Sequence, residues 1–237
     1  MVIIMSEPDL IRETGRLCGE LEQLVPHEYT AKDADWFSDG LSGRVLSKVP
    51  FKIIGVIGGL AHRALDLGRL AQELYERHKV VPGIILTRSL METTALLYLT
   101  YKKMKHSIET QSTDELDGFL VSCLSGNRTN EADPNSPNVL TAITHLDREE
   151  GCDRYADFYN ALSEFAHPNS MGTFYAYVRF NDADLTLNFG ENMGLTTAHD
   201  SAFSAVFALE VFIEFYKRIL TMLPEIKEMY QRNYPRA

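Results

Sequence analysis

Between Gly83 and Thr100 the chain is almost wholly apolar, and Arg88 and Glu92 are its only charged residues. In a helix, a separation of four residues stacks the two on one face. An isolated charge among the surrounding leucines would cost on the order of several kcal/mol, so each must be paired or must reach water. A core helix that keeps both an arginine and a glutamate needs a partner for them.

Bulk properties bound the answer. The 237 residues suffice for one large helical domain, and an apolar share of 45% supports a sizeable core. Cys18, Cys123 and Cys152 are far apart and form no C-x-x-C pair, as expected of reduced thiols in a cytoplasmic protein rather than a disulfide scaffold. Met1 to Ser6 lacks the basic region of a signal peptide, and the uncharged run Ile53 to Ala61 is too short to span a bilayer, so no membrane partner is expected. A net charge of −10 opposes broad, non-specific nucleic-acid binding but not a local site. Lys102, Lys103, Lys105 and His106 form a compact basic cluster that suits a solvated helix end.

The pattern predicts a mainly α protein: a multi-helix bundle in a single domain over residues 1–237, with one β-hairpin at about 173–189. Ser6 caps a helix over residues 6–25, and a weaker helix with Trp36 covers 33–49. Pro50 opens a long helical pattern to about Lys79, in which Gly55, Gly58 and Gly59 suggest close packing or a kink. Pro82-Gly83 breaks the chain before the Arg88 helix, which runs to about Lys105. Further helices are expected at about 113–124, 139–146, 152–166 and 197–222, with Pro224 opening a last piece. The polar stretch at 126–138 reads as a mobile loop. The alternating run from Thr173 to Phe180, followed by Leu185 to Phe189, reads as a hairpin that must pack on the helical body or on a second subunit.

A second polar set lies near the end of the 152–166 helix. Tyr159, Ser163 and His167 recur every four residues and so share one stripe, with Asn169 and Ser170 just beyond. If this helix packs on that of Arg88, the five side chains of Arg88, Glu92, Tyr159, Ser163 and His167 form one polar cluster, and Arg88 and His167 are expected to meet. Read as a phosphodiester site, His167 is the general acid or base, Arg88 stabilises phosphate charge, Glu92 orients the guanidinium and Ser163 holds a ring nitrogen or the substrate. Tyr159, Asn169 and Ser170 are the candidate ligand contacts. The alternative is a non-catalytic interaction module in which the same cluster is a satisfied network fixing helix register.

The segments Arg88-Ser-Leu-Met-Glu92 and Tyr159-Asn-Ala-Leu-Ser163-Glu-Phe-Ala-His167-Pro-Asn-Ser-x-Gly172 resemble a family of uncharacterised, mostly bacterial helical proteins. These look distantly related to the HEPN group (higher eukaryotes and prokaryotes nucleotide-binding). The resemblance implies a dimeric helical bundle that binds RNA or nucleotides, or cleaves RNA without a metal, in a phage-defence setting. The chain departs from the HEPN nuclease pattern, which places an arginine and a histidine close together on one helix. Here Arg154 is too far upstream of His167, and Arg88 belongs to another helix.

No metal and no cofactor is expected. Glu164-Phe-Ala-His167 is a lone E-x-x-H element, whereas a di-iron bundle needs two such elements and two further glutamates. The crowded His145, Asp147, Glu149, Glu150, Cys152 and Asp153 read as an acidic turn. Cys123 or Cys152 as a nucleophile would need His167 close by. Phe203, Phe207, Phe212, Phe215 and Tyr216 occupy more than one face of the last long helix, which suits deep burial or the seam of a homodimer.

Overall fold

The computed structural model describes residues 5–28, 49–126, 134–149, 151–195 and 198–233. Nearly all of the helix expected over 33–49 with Trp36, most of the 126–138 loop, and Glu150 lie outside them. The described residues form a mainly helical bundle with one antiparallel hairpin. In chain order these are α1 (Glu7–Leu24), α2 (Val49–Glu76), α3 (Val80–Thr110), α4 (Asp114–Ser125), α5 (Val139–Leu146) and α6 (Tyr155–Ala166). A π-helix (Ser170–Tyr175), β1 (Val178–Asn181), β2 (Thr186–Phe189) and α7 (His199–Asn233) follow.

Helix α3 is the axis of the fold. It packs against α2 and α7 along much of its length, and α4, α5 and α6 cover it elsewhere, while α1 lies across α2 and α7. Leu90, Met91, Ala95, Leu97, Tyr98 and Met104 of α3 are all fully buried. A helix apolar on nearly every side belongs at the centre of a bundle. By length and composition α3 alone among the described helices would suffice to cross a membrane, and here it is enclosed mostly by protein.

The polar atoms of α3 are mostly hydroxyls that find partners close by. Thr93, Thr94 and Thr100 each return a hydrogen bond to the carbonyl four residues back. The Thr94 hydroxyl also reaches the Ala208 carbonyl of α7 at 3.2 Å, and Arg63 of α2 donates through Nε to Thr93 Oγ1 at 3.1 Å. Buried polarity is therefore used to join α3 to its neighbours, consistent with the rule that buried polar groups are paired.

The break between α2 and α3 falls earlier than Pro82-Gly83. The chain reverses at His78, whose φ of 56° is left-handed, and α3 begins at Val80 with Pro82 inside its first turn. Proline is tolerated there because the first-turn N–H groups have no helical acceptor. Gly83 serves packing instead: a Cβ at this position would lie 2.3 Å from Tyr75 Cε1. The fully buried Tyr75 ring crosses the corner here and is tied to Thr87 Oγ1 at 2.7 Å. At the other end of the fold α7 runs through Pro224 instead of restarting, and Ile226 and Met229 beyond it are fully buried. Their burial holds the helix across the one missing backbone donor.

The hairpin is shorter than its sequence pattern. Residues 173–175, read as strand, belong to the π-helix. Asn169 caps this turn, accepting from the Gly172 N–H, and the Thr173 N–H bonds the Asn169 carbonyl. A Cβ on Gly172 would lie 2.1 Å from the His167 carbonyl oxygen, so the tight exit from α6 requires glycine. Local capping thus wins over the β-propensity of Phe174 and Tyr175. Strand pairing starts at Val178 opposite Phe189 and ends at Asn181 opposite Thr186.

Because the Tyr75 ring cannot yield without losing its bond to Thr87, Gly83→Ala should destabilise the protein by about 1–3 kcal/mol. Denaturant unfolding should show a lower midpoint with unchanged helix content; an unchanged midpoint would contradict this packing.

Candidate functional site

Tyr155 and Tyr159 stand one turn apart on α6 and point the same way, into α3. The Tyr155 hydroxyl donates to the Met91 carbonyl at 3.0 Å. The Tyr159 hydroxyl donates to Glu92 Oε1 at 2.9 Å and accepts from Arg88 Nη2 at 2.9 Å. Arg88 Nη2 also lies 3.2 Å from Glu92 Oε1, and the guanidinium carbon sits 5.2 Å from the centre of the Tyr159 ring. One phenol thereby supplies a hydrogen-bond acceptor, a donor and a π-face to the charge pair.

Tyr159 is buried, but the Arg88 and Glu92 side chains are 28% and 29% exposed. The pair sits at the edge of the core, where a cleft of about 610 Å³ opens. Among the described residues, Asn135, Ser136 and Asn138, together with Val139 and Leu140 at the start of α5, complete its lining. Asn138 caps α5, its Oδ1 accepting from the Leu140 and Thr141 N–H groups. The positive end of a helix and a guanidinium thus border the same space. Arg88 Nε is buried and has no hydrogen-bond partner. The exposed part of the Arg88 side chain, at the wall of a polar cleft, has capacity to meet an anion there.

The remaining residues expected at the site are placed differently. Ser163 is half-buried and turns back on its own helix, donating to the Tyr159 carbonyl at 2.9 Å. Glu149, just before α6, meets Tyr98, Tyr155 meets Met91, and Leu162 and Phe165 share a pocket wall with Val80 and Ile84, so α6 runs antiparallel to α3. His167 comes two turns after Tyr159, about 12 Å farther along the axis. It is exposed, forms the C-cap of α6, and is not part of the cleft wall. Arg88 and His167 were expected to meet, and the structure does not bring them together. Asn169 belongs to the π-helix cap and also donates to Glu164 Oε2 at 3.1 Å, while Ser170 opens that helix at the surface.

Five residues of the cleft wall, Asn135, Ser136, Asn138, Val139 and Leu140, lie outside the site expected from sequence. Asn135, Ser136 and Asn138 lie in what looked only like a polar loop, although an asparagine just before a helix is a recognisable N-cap signal. Tyr155 was also missed, yet it continues the four-residue stripe of Tyr159 and Ser163 backward by one turn.

The thiols are not activated. Burial pushes Cys152 up to about 11 and Cys123 up to about 12, so neither is an appreciable thiolate at neutral pH. Among the described residues no three His, Cys, Asp or Glu side chains converge as a metal would require.

Comparison of the chain with protein-family models, with curated proteins and with solved structures finds no match.

Burial raises the pKa of Tyr159 above the ordinary phenol range; Arg88 opposes the rise and Glu92 adds to it. Burial likewise raises Tyr98 and Tyr155, with Glu149 adding at Tyr98, and pushes Tyr75 up to about 12. With folded values above unfolded ones, these phenols contribute stability that is complete below a pH of about 10 and is lost as pH rises through the folded values. In an alkaline titration, the phenolate absorbance of these four residues should appear only together with loss of helical circular dichroism. Titration of every tyrosine near the ordinary value in a still-helical protein would contradict the arrangement.

Proposed function

We propose that this chain is a binding protein for a nucleotide or a short stretch of RNA, HEPN-like in class, which holds a phosphate at the Arg88 cleft and does not cleave its ligand. The observation that carries the reading is the partly exposed Arg88 guanidinium, braced by Tyr159 and Glu92 at the wall of the cleft. The start of α5 adds a second source of positive potential. Asn135, Ser136 and Asn138 bring amide and hydroxyl groups suited to sugar or base edges. A net charge of −10 fits a compact ligand contact better than a long electrostatic track. The resemblance to HEPN proteins supports the ligand class, and a part in phage defence rests on that resemblance alone.

The position of His167 supports binding without cleavage. A general acid or base must come within hydrogen-bond reach of the proton it moves, and His167 stands about two turns from Arg88. A second reading keeps a specific observation in its favour. The Tyr159 hydroxyl joins Arg88 and Glu92 into a closed, neutral triad, as an architectural network in an interaction module would.

Calorimetric titration with nucleoside mono-, di- and triphosphates and with short single-stranded RNAs separates the readings. The binding account expects saturable binding that Arg88→Gln weakens about ten- to a hundredfold, the worth of one charge-assisted hydrogen bond. His167→Ala should leave affinity unchanged, and bound RNA should remain intact. Absence of binding by the wild-type protein across this panel would leave the architectural reading standing.

A further inference from the structure

A second cavity, of about 440 Å³, shares no lining residue with the Arg88 cleft. Helix α6, the starts of α3 and α7, and the π-helix build its wall. Ile84, Phe158, Leu162, Phe165, Met171 and Tyr175 make that wall mostly apolar. A π-helix is a rare conformation that recurs at functional sites, and this one supplies both Met171 and Tyr175. The volume, and the mixture of an aromatic wall with a few polar groups, are those of a small-molecule site. Phe158 and Phe165 are seven residues apart on α6, about 10 Å along its axis, so the cavity takes a body of roughly that length.

We propose that this cavity binds a small organic cation, an amine carried on an aromatic or short aliphatic body. The first argument is charge. Arg154, Asp157 and Asp200 are the charged residues of the wall, two acids against one base. Arg154 is already committed within the wall, its Nε lying 3.6 Å from Asp157 Oδ2. Asp200 Oδ1 lies 3.1 Å from His199 Nδ1, but the Asp200 side chain is fully open to solvent and retains room for another donor.

The second argument is the sense of the hydrogen bonds. The Ser201 hydroxyl donates to the Ala198 carbonyl at 2.9 Å, and that of Ser204 to the Asp200 carbonyl at 2.8 Å. Neither has a proton left for a ligand. Apart from Arg154 and the Tyr175 phenol, the polar side chains of the wall therefore offer acceptors, and an ammonium brings three donors.

The third argument is the position of Arg154 itself. Its guanidinium carbon lies 5.4 Å from the centre of the Phe158 ring, beside the Asp157 carboxylate. The wall thus already holds one cation against an aromatic face next to an acid, the arrangement that an amine on an apolar body would repeat. An anion would meet two carboxylates there, and a neutral molecule would leave both unused.

Calorimetric titration of the full chain with phenylpropylamine, phenylpropanol and phenylpropionate tests the proposal, because the three share one body and differ in the head. The amine should bind saturably, the alcohol about three- to tenfold more weakly, and the carboxylate not measurably. Asp157→Asn with Asp200→Asn should bring the amine down to the affinity of the alcohol. Arg154→Asn removes the resident cation with a residue that tolerates its left-handed backbone (φ 69°), and should tighten amine binding about two- to fivefold. Ala161, exposed on α6 at the cavity wall, is a site where Ala161→Trp should fill the space and abolish amine binding with helical circular dichroism unchanged. Arg88→Gln should leave amine binding as it is, which separates this site from the Arg88 cleft. No binding of the amine, equal binding of all three heads, or a preference for the carboxylate would overturn the proposal. Amine binding that survives Ala161→Trp, or that weakens in Arg154→Asn, would do the same.

Discussion

The Tyr159 hydroxyl stands between Arg88 and Glu92, and much of the arrangement of this fold depends on that contact. Helix α3 is enclosed on most sides, so any charge on it must be matched by a neighbouring helix or open to solvent. Both solutions are used at once. Tyr159 bonds each member of the pair, and the cleft admits water to the outer quarter or so of both side chains. A pair in this position is less costly to desolvate than one sealed in the core. It also retains access to solutes, which a sealed pair would lack.

Tyrosine is a recurring device for joining helices to α3. Tyr75 reaches Thr87 from α2, Tyr155 reaches the Met91 carbonyl from α6, and Tyr98 of α3 itself donates to Glu149 Oε1 at 2.6 Å. Each phenol buries a ring and ends in one polar atom with a nearby partner, so packing and polar satisfaction come from the same residue. Threonines complete the scheme within α3 by bonding back along the helix. This explains how a helix so apolar in sequence carries several buried polar groups; Arg88 Nε is the one buried side-chain nitrogen or oxygen among the described residues without a partner.

The main architecture was legible from periodicity and caps. Ser6 with Asp9 forms the expected N-terminal cap, and the helices at 139–146 and 152–166 fall near their expected bounds. The contact of Arg88 and Glu92 with Tyr159 followed from spacing on two stripes. The distance to His167 did not. Periodicity tells which face of a helix a residue occupies, but not how far along the axis its partner lies, and two turns were enough to separate His167 from Arg88. Other departures have equally local causes. The left-handed turn at His78 has no glycine or asparagine to announce it. The π-helix before β1 arises from Asn169 and Gly172, whose capping geometry outweighs the strand-like Phe174 and Tyr175. The run of helix through Pro224 reflects burial beyond the proline, which only the packed structure reveals.

The most direct test of this account is a double-mutant cycle between Arg88→Met and Tyr159→Phe, followed by denaturant unfolding. If the Tyr159 hydroxyl holds the guanidinium across the helix interface, the two substitutions should be coupled by about 0.5–3 kcal/mol. Additivity within about 0.3 kcal/mol would show that the two side chains do not act on one another, and would contradict the account.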